Sequence, residues 1–319
     1  MLDGGIAMQM ETVDWSERCV RWAGIRSDTI DVYGKSVHVL RAGDPDSGTP
    51  QLFIHGLGGS STNWLEVAAA FAERGPVLAV DLPGFGRTQP PRTTAARLSV
   101  NAKFLHAVVR TQGWPRVQIH GNSMGGTLAV LLAAMLGDQV ERLVLVAAAL
   151  PSSRRDTSKL DPVTFRRFAP FVVPPLGSAL LRKMYRAKPV EQLWSDNAAY
   201  IHADPSRLSP EIIELGLENL RSGLAQSWRL PSLAAAATST VAALLGRRKL
   251  FEAMTAITAP TVYVWGQRDR LVGLPVIDMV RRRRPDWQIV ELPDVGHVPM
   301  LESPHAYIEA VTSWLDASS

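Results

Sequence analysis

The run Val117-Gln118-Ile119-His120-Gly121-Asn122-Ser123-Met124-Gly125-Gly126-Thr127-Leu128-Ala129-Val130 constrains this chain more than any other stretch. A β-type segment, Val117 to Ile119, ends at Gly121, and an apolar helical segment, Leu128 to Leu136, begins just after Gly126. Between them lies Gly-x-Ser-x-Gly with Ser123 at its centre. A strand that turns directly into a helix forces the turn residue into a strained backbone conformation. Residues two positions away crowd that turn, which accounts for glycine at 121 and 125. The turn lifts Ser123 clear of the sheet and sets it at a helix N-terminus, where free N–H groups and the helix dipole favour negative charge. Two readings follow: an exposed serine nucleophile, or a glycine-rich turn capped by Ser123.

Patterns on either side of this turn alternate between strand and helix. Ile25 to Tyr33 and Ser36 to Arg41 read as two strands across a turn at Gly34-Lys35. Gln51 to Ile54, Pro76 to Val80, Glu141 to Ala147, Thr261 to Trp265 and Gln288 to Leu292 read as further strands. Trp64 to Glu73, Leu98 to Gln112, Leu274 to Arg284 and Pro304 to Leu315 read as helices between or after them. Such alternation predicts an α/β fold, a mostly parallel sheet with helices on both faces. Residues 1–24 have no clear period and read as a flexible arm or a short helix around Trp15 to Trp22.

Three further runs carry a resemblance to the α/β-hydrolase superfamily. They are His55-Gly56-Leu57-Gly58-Gly59 after one strand, Asp81-Leu82-Pro83-Gly84-Phe85-Gly86 after another, and Gly296-His297-Val298-Pro299-Met300-Leu301-Glu302-Ser303-Pro304 near the end. With the Ser123 turn, they resemble that superfamily's serine hydrolases along nearly the whole core. The resemblance implies an oxyanion hole made by the backbone N–H of Met124 and of Leu57, with Gly58 as second choice. It makes His55 a residue that orients its loop, and Asp81 one that fixes a turn.

Pro151 to Glu252 interrupts the alternation. It holds helix-like segments at Leu176 to Arg186, Val190 to Tyr200, Pro210 to Ser222 and Ser232 to Leu245, with no convincing strand. This looks like the helical cap inserted into hydrolases of this fold. Leu176, Leu180, Leu181 and Met184 are placed to give one helix an apolar face. The expected organisation is an arm at 1–24, a core at 25–150 and 253–319, and a cap at 151–252.

A serine hydroxyl needs a base, and the base needs an orienting carboxylate. His297 follows the last strand, so it falls at the same edge of the sheet as Ser123. Asp269, in Trp265-Gly266-Gln267-Arg268-Asp269, follows a strand end and resembles the superfamily's Gly-x-x-Asp loop. Asp294 is the rival acid, being closer to His297 in sequence; its other reading is a turn residue after Pro293. The expected catalytic set is Ser123, Asp269 and His297.

Composition excludes other classes. Hydrophobic residues make up 46% and charged residues 20% of 319, ordinary for a globular chain. No run is long enough for a transmembrane segment, and no secretory signal is visible, so a cytoplasmic location is expected. The single cysteine, Cys19, rules out an internal disulfide or a cysteine-based metal cluster. Net charge is +4, and its densest run, Arg281 to Arg284, reads as a solvated helix end before Pro285. No nucleic-acid motif accompanies it. Neither a cofactor nor a metal is expected, and oligomeric state is left open. The predicted partners are a small apolar ester or ketone and water. The leading expectation is a serine esterase. Carbon–carbon hydrolases of ring-fission products are the alternative, because their elbow is similar. Their loop reads His-Gly-x-Gly-Pro-Gly and their histidine precedes Trp, whereas Gly59, Ser60 and Val298 stand here. That alternative would use Arg182 or Arg186 to hold a substrate carboxylate. An acyltransferase, a perhydrolase or a small-molecule receptor on the same fold completes the set.

Overall fold

The computed structural model describes residues 13–152 and 174–318. The expectations for residues 1–12 and 153–173 therefore lie outside the described residues. Among the described residues, eight strands form one sheet: β1 (Arg26–Asp31), β2 (Ser36–Ala42), β3 (Gln51–Ile54), β4 (Val77–Val80), β5 (Val117–Asn122), β6 (Val140–Val146), β7 (Thr261–Gly266) and β8 (Gln288–Leu292). Their order across the sheet is β1-β2-β4-β3-β5-β6-β7-β8. Only β2 runs against the rest, since both of its pairings are antiparallel and β4, β3, β5, β6, β7 and β8 pair in parallel. The β1–β2 turn sits on Tyr33 and Gly34, both at positive φ, one residue before the expected Gly34-Lys35. Val32 and Lys35 close it with reciprocal backbone bonds, the two-residue hairpin whose twist suits paired strands.

The central strands are buried on both faces, and their side chains alternate between two apolar layers. Leu52, Ile54, Leu143 and Leu145 face helices α2 (Leu98–Thr111) and α3 (Met124–Leu136). Phe53, Val144 and Val146 face α1 (Leu65–Ala72) and the closing helix (Pro304–Ala317). Trp15 and Trp22 also lie in the second layer, 1% exposed each, on two short 3₁₀ turns at Trp15–Glu17 and Val20–Trp22. Residues 13–24 are thus docked against the core.

Between β6 and β7 the described residues form helices only: α4 (Pro174–Arg186), α5 (Val190–Ile201), α6 (Pro210–Ala225), α7 (Arg229–Gly246) and α8 (Arg248–Ala256). The last runs across the expected return to the core at 252/253. Its Ala253 and Met254 belong to the layer around α3. Leu181 of α4 is buried, but Met184, expected on the same apolar face, is 47% exposed. The side chains of Leu176 and Leu180 lie outside the described residues. After β7 come α9 (Leu274–Arg283), a short α10 (Pro299–Glu302) and the closing helix α11 (Pro304–Ala317).

The arginine run at the end of α9 is not merely solvated. Arg284 is 9% exposed and donates to the carbonyls of Met254 and Ile257, with Ile257 O at 2.9 Å. It also pairs with Asp286 and lies over the Trp287 ring. The guanidinium thereby satisfies the orphan carbonyls where α8 ends, a buried duty that a charge count does not reveal. Among the described residues, no helix is long and apolar enough to cross a membrane.

Candidate active site

Strands β5, β7 and β8 are parallel and end at Asn122, Gly266 and Leu292. Their following loops therefore emerge at one edge of the sheet, and these loops carry Ser123, Asp269 and His297. Ser123 has φ 55 and ψ −118, between the end of β5 and the first residue of α3. This is a strained region for a residue with a side chain. The strain is held by bonds on both sides: Ser123 N–H donates to Val146 O at 2.9 Å, and Ala149 N–H donates to Ser123 O at 3.0 Å. Close packing also demands the elbow's glycines. A Cβ on Gly121 would lie 2.4 Å from Gly125 O, and one on Gly125 would lie 2.3 Å from Ile54 O. The Ser123 side chain makes no capping bond to α3, so the capped-turn reading does not describe it. Ser123 is half-buried while Asn122 and Met124 beside it are buried.

His297 is 4% exposed and Asp269 is 8% exposed. His297 Nδ1 lies 2.7 Å from Asp269 Oδ2. The other oxygen, Oδ1, accepts the N–H groups of Leu271 at 2.7 Å and Val272 at 2.9 Å, which fixes the carboxylate plane. An imidazole held in this way carries its proton on Nδ1 and presents Nε2 as the acceptor. Asn122 joins the two halves of the site: its Nδ2 donates to Val146 O at 3.1 Å and to His297 O at 3.2 Å. Asp294, the rival acid, has φ 52 and an exposed side chain paired with Arg268 at 3.2 Å. It is a turn residue.

The His55 loop abuts Ser123. A Cβ on Gly56 would lie 3.1 Å from Ser123 Cβ. His55 is fully buried and neutral: burial pushes its imidazole down to about 4. Its Nδ1 donates to Gly56 O at 2.7 Å and its Nε2 accepts the Leu82 N–H at 3.2 Å. It therefore braces two loops against each other. Asp81 does the same for the next turn, accepting from Ser61 N–H at 2.6 Å, Arg87 N–H at 2.8 Å and His38 Nδ1 at 2.8 Å. Burial alone would raise its carboxyl, but the His38 hydrogen bond, together with the neighbouring imidazoles and the Arg87 N–H, outweighs this and holds it far below the usual range. Met124 is the first residue of α3, so its N–H has no partner within the helix. Leu57 is half-buried in the same loop as Gly56.

Comparison with known proteins gives the family. The pattern of the Alpha/beta hydrolase family matches residues 51–310. The chain belongs to that family. It is similar to Lipase 3 of Moraxella sp. strain TA144, 24% identical over 273 residues, 83% of this chain and 76% of that one. A 2-hydroxy-6-oxononadienedioate/2-hydroxy-6-oxononatrienedioate hydrolase of Burkholderia vietnamiensis strain G4 is 29% identical over 248 residues, 74% of this chain and 77% of that one. In three dimensions a thermophilic esterase from Thermogutta terrifontis, solved with malate bound, aligns with a TM-score of 0.68 at 23% identity. That alignment covers 92% of this chain and 98% of the esterase, and it speaks to the fold.

Several residues of this alpha/beta hydrolase site carry roles that the sequence reading did not assign. Asn122 lies inside the elbow motif, yet its role depends on a carbonyl 175 positions away. Arg229, at the start of α7, donates to Gly58 O at 3.0 Å and Gly84 O at 3.4 Å and stands 5.2 Å over the Phe85 ring. It pins α7 to the loops beside Ser123, and burial pushes its guanidinium down. Arg182 and Arg186, the arginines considered for a substrate carboxylate, are both exposed. Among the described residues no group of three or more His, Cys, Asp or Glu is placed to hold a metal ion.

Proposed function

We propose that this alpha/beta hydrolase is a serine esterase in which Ser123, His297 and Asp269 form the catalytic triad. The observation that carries this reading is the meeting, at one sheet edge, of a positive-φ serine without a capping role and a hydrogen-bonded His–Asp pair. Ser123 Oγ attacks the carbonyl carbon of an ester while His297 Nε2 takes its proton. Asp269 holds the tautomer and stabilises the imidazolium. The N–H groups of Met124 and Leu57 receive the developing oxyanion, each worth about 3 kcal/mol of barrier. His297 then protonates the leaving alcohol, an acyl-enzyme remains on Ser123, and a water activated by His297 releases the acid.

The helices between β6 and β7 serve as a cap in this reading. Leu181, Leu233, Ala234 and Tyr185 form an apolar cluster with Leu57, so the substrate class is a carboxylic ester of small to medium apolar groups. Carbon–carbon cleavage of a ring-fission acid draws less support, because Arg182 and Arg186 face solvent rather than offering a buried counter-charge. Labelling with a fluorophosphonate probe, followed by p-nitrophenyl ester turnover, tests the proposal. Wild type is expected to react and turn over, and Ser123→Ala to do neither while keeping its circular dichroism spectrum. A variant retaining even about a tenth of wild-type turnover would remove Ser123 from the role.

A further inference from the structure

His297 is held through its backbone as well as its ring. Its N–H donates to Ile201 O at 2.7 Å, where α5 ends. The preceding residue, Gly296, donates its N–H to Glu302 Oε2 at 2.8 Å. The same oxygen accepts the Ala203 N–H at 3.1 Å, and Oε1 accepts the Asp204 N–H at 2.9 Å. One carboxylate, 2% exposed, thus binds three backbone N–H groups from two segments, one of them distant in sequence. His202 Nδ1 lies 3.6 Å from Oε2, and Arg207 Nη1 lies 3.9 Å from Oε1. Room for this junction exists only at glycine: a Cβ on Gly296 would lie 2.6 Å from both Ala203 N and Ile201 O, and 2.9 Å from Glu302 Oε2.

A carboxylate this deeply buried is costly unless its lone pairs are met, and here the donors that meet them belong to the His297 loop and to the inserted helices. We propose that Glu302 is a positioning residue that locks the His297 backbone to the segment Ile201–Asp204, so that the base and the foot of the insertion are one rigid body. The proposal rests on the reading of His297 as general base. Both acceptors are required. Glutamine at this position has one acceptor oxygen, and its NH2 group faces N–H donors, so the Gly296 and Ala203 bonds and the Asp204 bond cannot all survive.

The test is Glu302→Gln, assayed below its melting temperature, with kcat and KM measured separately on a soluble p-nitrophenyl ester. The low-field proton resonance of the His297 Nδ1–H bonded to Asp269 is recorded alongside. Displacing a base by a fraction of an ångström is expected to lower kcat about 10- to 100-fold with KM within about twofold. The resonance broadens or disappears. Gly296→Ala pushes the same junction apart without touching a titratable group, and is expected to reproduce the pattern, so it decides the matter if Glu302→Gln does not fold. Folded variants with wild-type kcat and an intact resonance overturn the proposal. So does a loss confined to KM. His297→Ala separates the two levels: if it keeps turnover, the assignment of the base fails. If it is inactive while Glu302→Gln matches wild type, only the positioning role fails.

Discussion

His297 Nδ1 lies 2.7 Å from Asp269 Oδ2, whereas the Asp294 carboxylate, nearer to His297 in sequence, faces solvent beside Arg268. Sequence separation and spatial role are thus inverted, because β7 and β8 are neighbours and both loops leave the same edge. Asp269→Asn is expected to lower kcat on the order of 10³–10⁴-fold by favouring the wrong imidazole tautomer. Asp294→Asn removes an exposed ion pair and is expected to change kcat less than about threefold. Both are measured on one ester at one pH, and the opposite ranking would move the orienting role to Asp294.

Arg284 offers a prediction about stability alone. Its guanidinium answers the carbonyls of Met254 and Ile257, which have no helical partners beyond the end of α8. Arg284→Ala strands these buried acceptors, so a loss of about 2–4 kcal/mol is expected in urea unfolding. Arg281→Ala, which removes exposed pairs with Asp278 and Glu291, is expected to cost less than about 1 kcal/mol. Equal effects at the two positions would mean that the run is a solvated helix end after all.

Acid sensitivity follows from buried histidines. Burial pushes His55 down to about 4 from an ordinary 6.5, and His120 down to about 3. The unfolded chain therefore binds protons that the folded chain refuses. Stability from these groups is complete above the unfolded value and is lost as pH falls from about 6.5 toward the folded values. His55→Gln keeps a donor for Gly56 O and an acceptor for the Leu82 N–H but cannot titrate. Its melting temperature is expected to fall less than that of wild type between about pH 7 and about pH 5. Parallel curves with a constant offset would show that His55 does not contribute.

Most of the sheet and the loop residues at its edge were legible because their signals are local. Leu52–Ile54 is an apolar run, and the elbow needs glycine at fixed spacing because a Cβ on Gly121 would lie 2.4 Å from Gly125 O. The helix at Arg248–Ala256 was missed because its polar start, Arg247-Arg248-Lys249, masks the face that buries Leu250, Ala253 and Met254. The burial of Arg284 is hidden for a related reason: besides Asp286 and Trp287, its partners are the carbonyls of Met254 and Ile257, which no residue pattern records. Glu302 was visible as a motif position, but its function needed the distant segment Ala203–Asp204. Local spacing predicts which side chains leave a strand end. It does not predict which remote backbone groups they meet.

The inserted helices should set substrate length. Leu57, whose N–H is proposed to receive the oxyanion, packs against the cluster of Leu181, Ala234 and Ala237, as do Leu233 and Tyr185. Arg229 fixes the start of α7 on the carbonyls of Gly58 and Gly84 beside it. An acyl group whose carbonyl oxygen reaches Leu57 N–H is therefore expected to run along apolar side chains from the insertion. Each methylene buried there is worth up to ~0.8 kcal/mol, so kcat/KM is expected to rise roughly two- to fourfold per carbon until the space is filled. A pocket covered in this way would also limit length, because a triacylglycerol would have no open groove in which to lie. The expected profile over p-nitrophenyl esters, from acetate to palmitate, climbs through short and medium chains and then falls, with little hydrolysis of emulsified triolein. Leu233→Ala, which removes a wall of the cluster, is expected to move the maximum toward longer chains without lowering turnover of the acetate. A flat profile, or activity appearing only at the oil interface, would mean that the insertion does not roof Ser123, even with the triad intact.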